Sequence, residues 1–190
     1  MSRNEFRVLN VFTYVMITTV FFFSLNLNSS ESVKLIAKQG VRYESVSGKP
    51  FTGIYEKFSD SNVLLEKATY KEGKKDGYSS WYSETGKLKA KRTYKEGKLH
   101  GRFEDYYGNG QLKQAGTYEK QKKNGIFRSY HNNGNLKKDY VYRDGLKNGS
   151  WKEYYESGQV LRSGMSLNGV DQKVTLFDRD GGVLDQYPKP

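Results

Sequence analysis

Histidine and cysteine, which often carry metal or acid–base chemistry, are nearly absent from this chain of 190 residues. Its two histidines, His100 and His131, stand 31 residues apart, too far in sequence and too different in context to read as a ligand pair, and are read as surface substitutions. Asp178, Asp180 and Gly181 form an Asp-x-Asp-Gly step that hints at a calcium loop, but no Glu stands at the twelfth position to close it. The glycines there are better explained by a turn. Phosphate loops and a serine nucleophile elbow are absent from the sequence. There is no cysteine, which removes disulfides, thiol catalysis and Cys-based zinc sites together. No catalytic residue, metal ligand or cofactor site is therefore expected. What remains is a set of lysines at recurring places: Lys71, Lys74 and Lys75, then Lys95 and Lys98, then Lys120, Lys122 and Lys123, then Lys147. Their chemistry is attraction of anions, and Lys74, Lys98, Lys122 and Lys147 are the candidate binding row. Glu72, Glu96, Glu119, Asp76 and Asp144 fall in the same stretches and dilute that field.

The recurrence comes from an internal repeat. From Gly77 the chain reads GYSSWYSETGKLKAKRTYKEGKLH, from Gly101 GRFEDYYGNGQLKQAGTYEKQKKN and from Gly125 GIFRSYHNNGNLKKDYVYRDGLKN, a unit of 24 residues. The same period places further unit starts at Gly53, Gly149 and Lys173. An aromatic stands sixth in five units, as Phe58, Tyr82, Tyr106, Tyr130 and Tyr154. Gly86, Gly110, Gly134 and Gly158 follow four residues later, with Asn62 in the first unit. Then come Leu64, Leu88, Leu112, Leu136 and Val160, and after them Tyr70, Tyr94, Tyr118 and Tyr142, with Ser166 breaking the series. Aromatic and branched residues on both sides of an Asn-Gly or Thr-Gly step predict a β-hairpin. A period of this length predicts hairpins that bury their apolar faces only by stacking on neighbours.

The four glycines at 86, 110, 134 and 158 are the structural turn residues. A two-residue turn at Asn109-Gly110 would pair Tyr107 with Leu112, whereas a three-residue loop with Gly110 in the left-handed region would pair Tyr106 with Leu112. The second is preferred, because it sets the most regular aromatic beside the most regular aliphatic. Alternation then predicts one greasy face holding Leu112 and Tyr118. The opposite face is expected to carry Lys89, Lys91, Lys113, Lys137 and Arg162 with Thr69, Thr93 and Thr117.

The pattern YYGNGQLKQAGTY followed by TYKEGKLHG resembles the bacterial variant of the MORN repeat, over roughly residues 41 to 187, and VSGKPFTG resembles the lead-in of such arrays. The resemblance implies an all-β fold, an elongated twisted antiparallel sheet of successive hairpins. It implies no catalytic residue. Members of that family are often labelled antitoxin-like, and eukaryotic relatives are discussed as membrane-associated or protein-binding scaffolds.

Three segments are expected: residues 1–30 as a signal peptide or signal anchor, 31–40 as a linker and 41–190 as the repeat array. Arg3 and Arg7 precede the uncharged run from Val8 to Leu27, read as an N-terminal hydrophobic helix long enough to span a bilayer if it is not cleaved. At the other end the last unit degenerates, Gly181 coming one residue early, as a sheet-capping repeat should. Without its first 30 residues the chain keeps 30 basic and 20 acidic groups, about +10, a charge that favours anionic partners. The expected function is an exported, non-enzymatic scaffold presenting a basic, Tyr-rich sheet surface at the cell envelope, to a protein or to an anionic cell-surface or lipid-headgroup partner. The alternative is an antitoxin or immunity-type protein that binds a partner toxin. Basic residues interleaved with tyrosine could stack bases, but export argues against nucleic acid and none is expected.

Overall fold

The computed structural model describes residues 6–9 and 34–188, with side chains from residue 34 onward. Strand β1 (Phe6–Leu9) is followed by a separate hairpin of β2 (Leu35–Lys38) and β3 (Val41–Glu44). The array then runs through β4 (Gly53–Phe58), β5 (Leu64–Lys71), β6 (Lys74–Tyr82), β7 (Leu88–Lys95), β8 (Lys98–Tyr106), β9 (Leu112–Glu119) and the short β10 (Lys122–Lys123). It continues with β11 (Gly125–Tyr130), β12 (Leu136–Arg143), the short β13 (Leu146–Lys147), β14 (Gly149–Tyr154), β15 (Val160–Leu167), β16 (Val170–Phe177) and β17 (Val183–Tyr187). From β4 on, the long strands pair in sequence order with the short β10 and β13 pairing back onto β9 and β12, every pairing is antiparallel, and β1 pairs with the free edge of β4. The described residues contain no helix. The hydrophobic helix expected over 8–27 falls outside the described residues except for Val8 and Leu9, which are strand and not helix. The expected linker 31–40 is also more structured than its composition implied, since Leu35–Lys38 pairs with Val41–Glu44.

The turn chemistry explains the register. In the third unit Tyr106 pairs with Leu112, Tyr107 N–H donates to the Gln111 carbonyl, and Gly110 N–H donates back to the Tyr107 carbonyl with φ of 90° at Gly110. This is a three-residue loop closed by a glycine in the left-handed region, and Gly86, Gly134 and Gly158 take the same conformation. No atom lies within 4 Å of where a Gly110 Cβ would stand, and Gly108, with ordinary φ, is equally open. Gly110→Val is therefore expected to cost about 1–3 kcal/mol from backbone strain alone, and Gly108→Ser close to nothing. Urea midpoints of the two variants check this, and equal losses would contradict the turn.

The same loop carries a bulge that overturns the predicted faces. Asp105 pairs with Gln114 while its neighbour Tyr106 pairs with Leu112, so Lys113 is an extra residue. Paired residues share a face and adjacent residues do not. Asp105, Gln114, Gly116 and Tyr118 thus share one face with Phe103, here the inner face, and Tyr106 and Leu112 turn to the outer face with Glu104 and Thr117. Leu112 does not lie with Tyr118, because the alternation has to be counted across a bulge. Lys89, Lys113 and Lys137 occupy the bulge, and the Lys113 ammonium lies 5.7 Å from the Tyr107 ring centroid. Arg162, two residues after Val160 and past the bulge, is on the inner face, bonded to Glu153 at 2.7 Å. Lys91 and the threonines lie on the outer face, Thr69 opposite Ile54, Thr93 opposite Tyr78 and Thr117 opposite Arg102. There the Tyr106 hydroxyl donates to Glu104, and burial together with that bond pushes the phenol up to about 12.

The core is an aromatic ladder on the inner face. The third place of each unit is buried throughout, as Tyr55, Phe103, Phe127 and Trp151 with Ser79 in the second unit, and Phe51 and Tyr70 are buried with Tyr55 at the N-terminal end. Each large ring faces a small partner in its own hairpin where space requires it, Tyr55 against Ala68, Phe103 against Gly116 and Trp151 against Gly164. Phe103 and Phe127 stack at 6.0 Å between centroids, and Tyr118 meets each edge-on at 5.5 Å. No second layer covers this face among the described array residues, so long cationic side chains close it. Lys75 lies 4.5 Å from the Trp81 ring, Arg92 4.4 Å from Phe103, and Lys123 5.0 Å from Phe127 and 4.8 Å from Tyr142. Their stems bury apolar area while the charges rest on ring faces. At the N-terminal end the hairpin β2–β3 does the same through Arg42, 4.1 Å from the Tyr55 ring and donating to the Tyr70 hydroxyl at 2.9 Å.

Candidate binding surface

Two-residue turns connect the hairpins along one edge of the sheet, with φ near 50° at Glu72, Glu96, Lys120 and Asp144. Such turns match the twist of the strands they join. Lys74, Lys98 and Lys122 open β6, β8 and β10 on this edge and are exposed. Successive units are two strands apart, so these lysines repeat at about 10 Å. The Lys74 Cβ lies 3.7 Å from where a Cβ would stand on Gly97, and Lys122 has the same relation to Gly145. The row is therefore built on the bare backbone of the next turn. Lys71, Lys95, Lys120 and Arg143 are exposed beside it, and none of these seven cations forms an ion pair among the described residues.

Lys147 does not belong to the row. Lys74, Lys98 and Lys122 are 24 residues apart, and the next place in that register is Leu146. One residue of offset turns a side chain to the other face, and Lys147 lies inward, 2.9 Å from Asp171 and 4.8 Å from the Trp151 ring. The edge thus changes from cationic at its start to apolar at its end, where Leu146, Leu167 and Val170 are exposed.

The opposite edge, made of the three-residue loops, is tied together by the residue that follows the sixth-position aromatic in the third, fourth and fifth units. The Tyr107 hydroxyl donates to the Tyr130 carbonyl at 2.7 Å and the Tyr155 hydroxyl to the Phe177 carbonyl at 3.0 Å. His131 fills the equivalent place, with Nε2 2.9 Å from the Tyr154 carbonyl. A carbonyl only accepts, so Nε2 carries the proton. His131 is thus a half-buried inter-hairpin link and not a free surface substitution. In the first two units Ser59 and Ser83 stand there and accept locally, from Val63 and Lys87 backbone N–H. An offset of 23 residues between donor and carbonyl at Tyr107 and His131, shortened to 22 at Tyr155, is the signal that could have found the set. Asp178 likewise accepts from the backbone N–H of Asp180 and Gly182, so its carboxylate caps the last turn.

Beneath these loops the inner face holds one buried carboxylate, Glu153, which accepts from the Tyr140 hydroxyl and from Arg162 and lies 3.5 Å from Lys138. Burial pushes the Glu153 carboxyl up, but the Arg162 and Tyr140 bonds and the nearby cations outweigh it and hold it down at about 2. Tyr140 is raised, by burial first and then by that bond. A carboxyl depressed from 4.5 to about 2 contributes stability that is complete above about pH 4.5 and disappears as the pH falls toward 2. Glu153→Gln should cost about 2 kcal/mol at pH 7, with the gap from the native protein closing between pH 4.5 and 2. Urea unfolding across that range checks it, and a gap independent of pH would contradict the network.

Fold and surface together define the class: a β-hairpin repeat scaffold of the binding type. The family described as MORN repeat variant matches residues 51–72, 75–96, 99–120, 123–144 and 147–166, more than half of the chain, and the protein belongs to that family. The matched blocks share the 24-residue period and begin two residues ahead of the unit glycines. No curated protein matches the chain. Among solved structures the chain is similar to a mutant of S. aureus TarM in complex with fondaparinux, alpha-GlcNAc-glycerol and UDP, at 15% identity and TM-score 0.34 over 62% of this chain and 21% of that one. It is also similar to a second TarM crystal structure, at 15% identity and TM-score 0.32 over 61% and 22%. The chain therefore spans about a fifth of the length of these TarM chains.

Proposed function

We propose that the protein is a non-enzymatic scaffold that acts outside the cytoplasm, at the cell envelope, and holds an anionic surface or polymer along its connection edge. The observation that carries this reading is the run of unpaired, exposed cations at Lys71, Lys74, Lys95, Lys98, Lys120, Lys122 and Arg143. Regular weak contacts on one rigid sheet reinforce one another, because each bound site raises the effective concentration for the next. Export rests on Arg3 and Arg7 ahead of the uncharged run to Leu27. The Tyr-rich inner face is not the binding surface in this reading, because its rings and cations are engaged with each other.

Near an anionic membrane or polymer each lysine contributes about 1 kcal/mol, so Lys74→Gln, Lys98→Gln and Lys122→Gln together should weaken binding about a hundredfold. Lys147→Gln should leave binding unchanged and lower stability. Binding to anionic vesicles, heparin and whole cells at two salt concentrations tests this, since exposed charges reach only about 8 Å at physiological ionic strength. Binding that survives both salt and the three substitutions overturns the electrostatic reading. That outcome would favour a protein partner, as in the antitoxin reading, on the outer face, where Tyr78, Ile126 and Met165 are exposed.

A further inference from the structure

We propose a second anion site on the loop edge: a pocket spanning the fourth to sixth hairpins that takes a small ring compound bearing a phosphate or sulfate group. The pocket has a volume of about 470 Å³ and is lined by Lys137, Lys138, Glu153, Tyr155, Leu161 and Arg179. That volume suits a ligand of monosaccharide size.

The charges in this pocket are not balanced by its carboxylates. Glu153 is already engaged by Tyr140, Arg162 and Lys138. Glu156 is exposed, and its carboxylate lies 3.9 Å from Nδ1 of the His131 ring. Lys137 and Arg179 have no ion-pair partner among the described residues, although they approach from different hairpins. An anion in the pocket would meet charge from both, and from Lys138 on the same lining.

The ring-binding part follows from Tyr155 and Leu161. Tyr155 is fixed by its bond to the Phe177 carbonyl, and the Arg179 guanidinium lies 5.6 Å from its ring centroid. Leu161 replaces the bulge lysine of the three preceding units, Lys89, Lys113 and Lys137. An apolar wall thereby faces a cationic mouth. The corresponding cleft at the first hairpin holds Lys57 with the acids Asp60 and Glu84, and offers no such charge. The site lies at the opposite end of the strands from Lys74, Lys98 and Lys122, so it stands or fails independently of the connection edge.

The test follows the NMR signals of His131 and Tyr155 in the full chain during titration with glucose 6-phosphate, glucose 6-sulfate, inorganic phosphate and glucose. Saturable shifts are expected with both substituted sugars, at least tenfold tighter than with inorganic phosphate, and none with glucose. Lys137→Gln with Arg179→Gln should weaken sugar-phosphate binding at least tenfold without changing the melting temperature. The triple substitution on the connection edge should leave it unchanged. Glucose binding as tightly as its phosphate, inorganic phosphate binding as tightly as the sugar phosphate, the absence of saturable shifts, or equal loss from the distant lysines would each overturn the site.

Discussion

Gly164→Val is expected to cost the protein about 3 kcal/mol or more, although Gly164 sits in a strand interior and at no turn. A Cβ there would stand 2.2 Å from the Lys173 carbonyl and 2.6 Å from the Trp151 ring. One of these is backbone of the paired strand β16 and the other is a buried indole, so neither yields without breaking the ladder or expelling the ring. Overpacking of this kind usually costs 1–3 kcal/mol, and the upper end or beyond applies when two rigid neighbours must move. Gly164→Ala should already be destabilising, because the clash begins at Cβ. Gly108→Ala, in open space and with ordinary φ, is the control and should be neutral. Urea unfolding of the three variants measures this. A neutral Gly164→Ala would mean that the indole does not fill the space above that strand.

The second large effect is at Phe127. Phe127→Ala should lose about 3–5 kcal/mol, the usual cost of emptying a buried aromatic site. The ring meets Phe103, Tyr118 and Tyr142 at 6.0, 5.5 and 5.2 Å, carries Lys123 on one face and fills the space over Gly116. Tyr130→Ala, at the most regular aromatic position of the unit, should cost less because that residue is only half-buried. Loss of Phe127 also uncouples hairpins on both sides, and a repeat array is held by nearest-neighbour contacts, so the unfolding transition should broaden. Gly116→Ala offers an internal check. A Cβ at residue 116 would fall 2.6 Å from the Phe127 ring, so it should be costly in the native protein and much less so when Phe127 is alanine. Additive losses in the double variant would show that the two sites are not packed together.

The repeat was legible because hairpins announce themselves locally. A period of 24, a glycine needed at positive φ and an aromatic–aliphatic pair around it were enough to give the antiparallel hairpins, the three-residue loop and the pairing of Tyr106 with Leu112. These depend on the conformational limits of a few adjacent residues, which sequence states directly. The order of strands followed from the same shortness of the connections. What the sequence did not disclose was which face each residue joins, since a bulge at Lys113 inverts the count for Leu112 and the equivalent bulge at Leu161 inverts it for Arg162. It also concealed the core: the most regular position, sixth in the unit, is half-buried. The third position, which varies through Tyr55, Ser79, Phe103, Phe127 and Trp151, is buried throughout. What fills that position depends on its neighbours across the sheet, since Phe103 and Trp151 face glycines and Tyr55 an alanine while Phe127 faces Tyr140 and fills the space over Gly116. The candidate row divided for the same reason. Lys74, Lys98 and Lys122 share an edge by period alone, whereas Lys147 differs by one residue and is drawn inward by Asp171 and Trp151, groups that come beside it only when the sheet has formed.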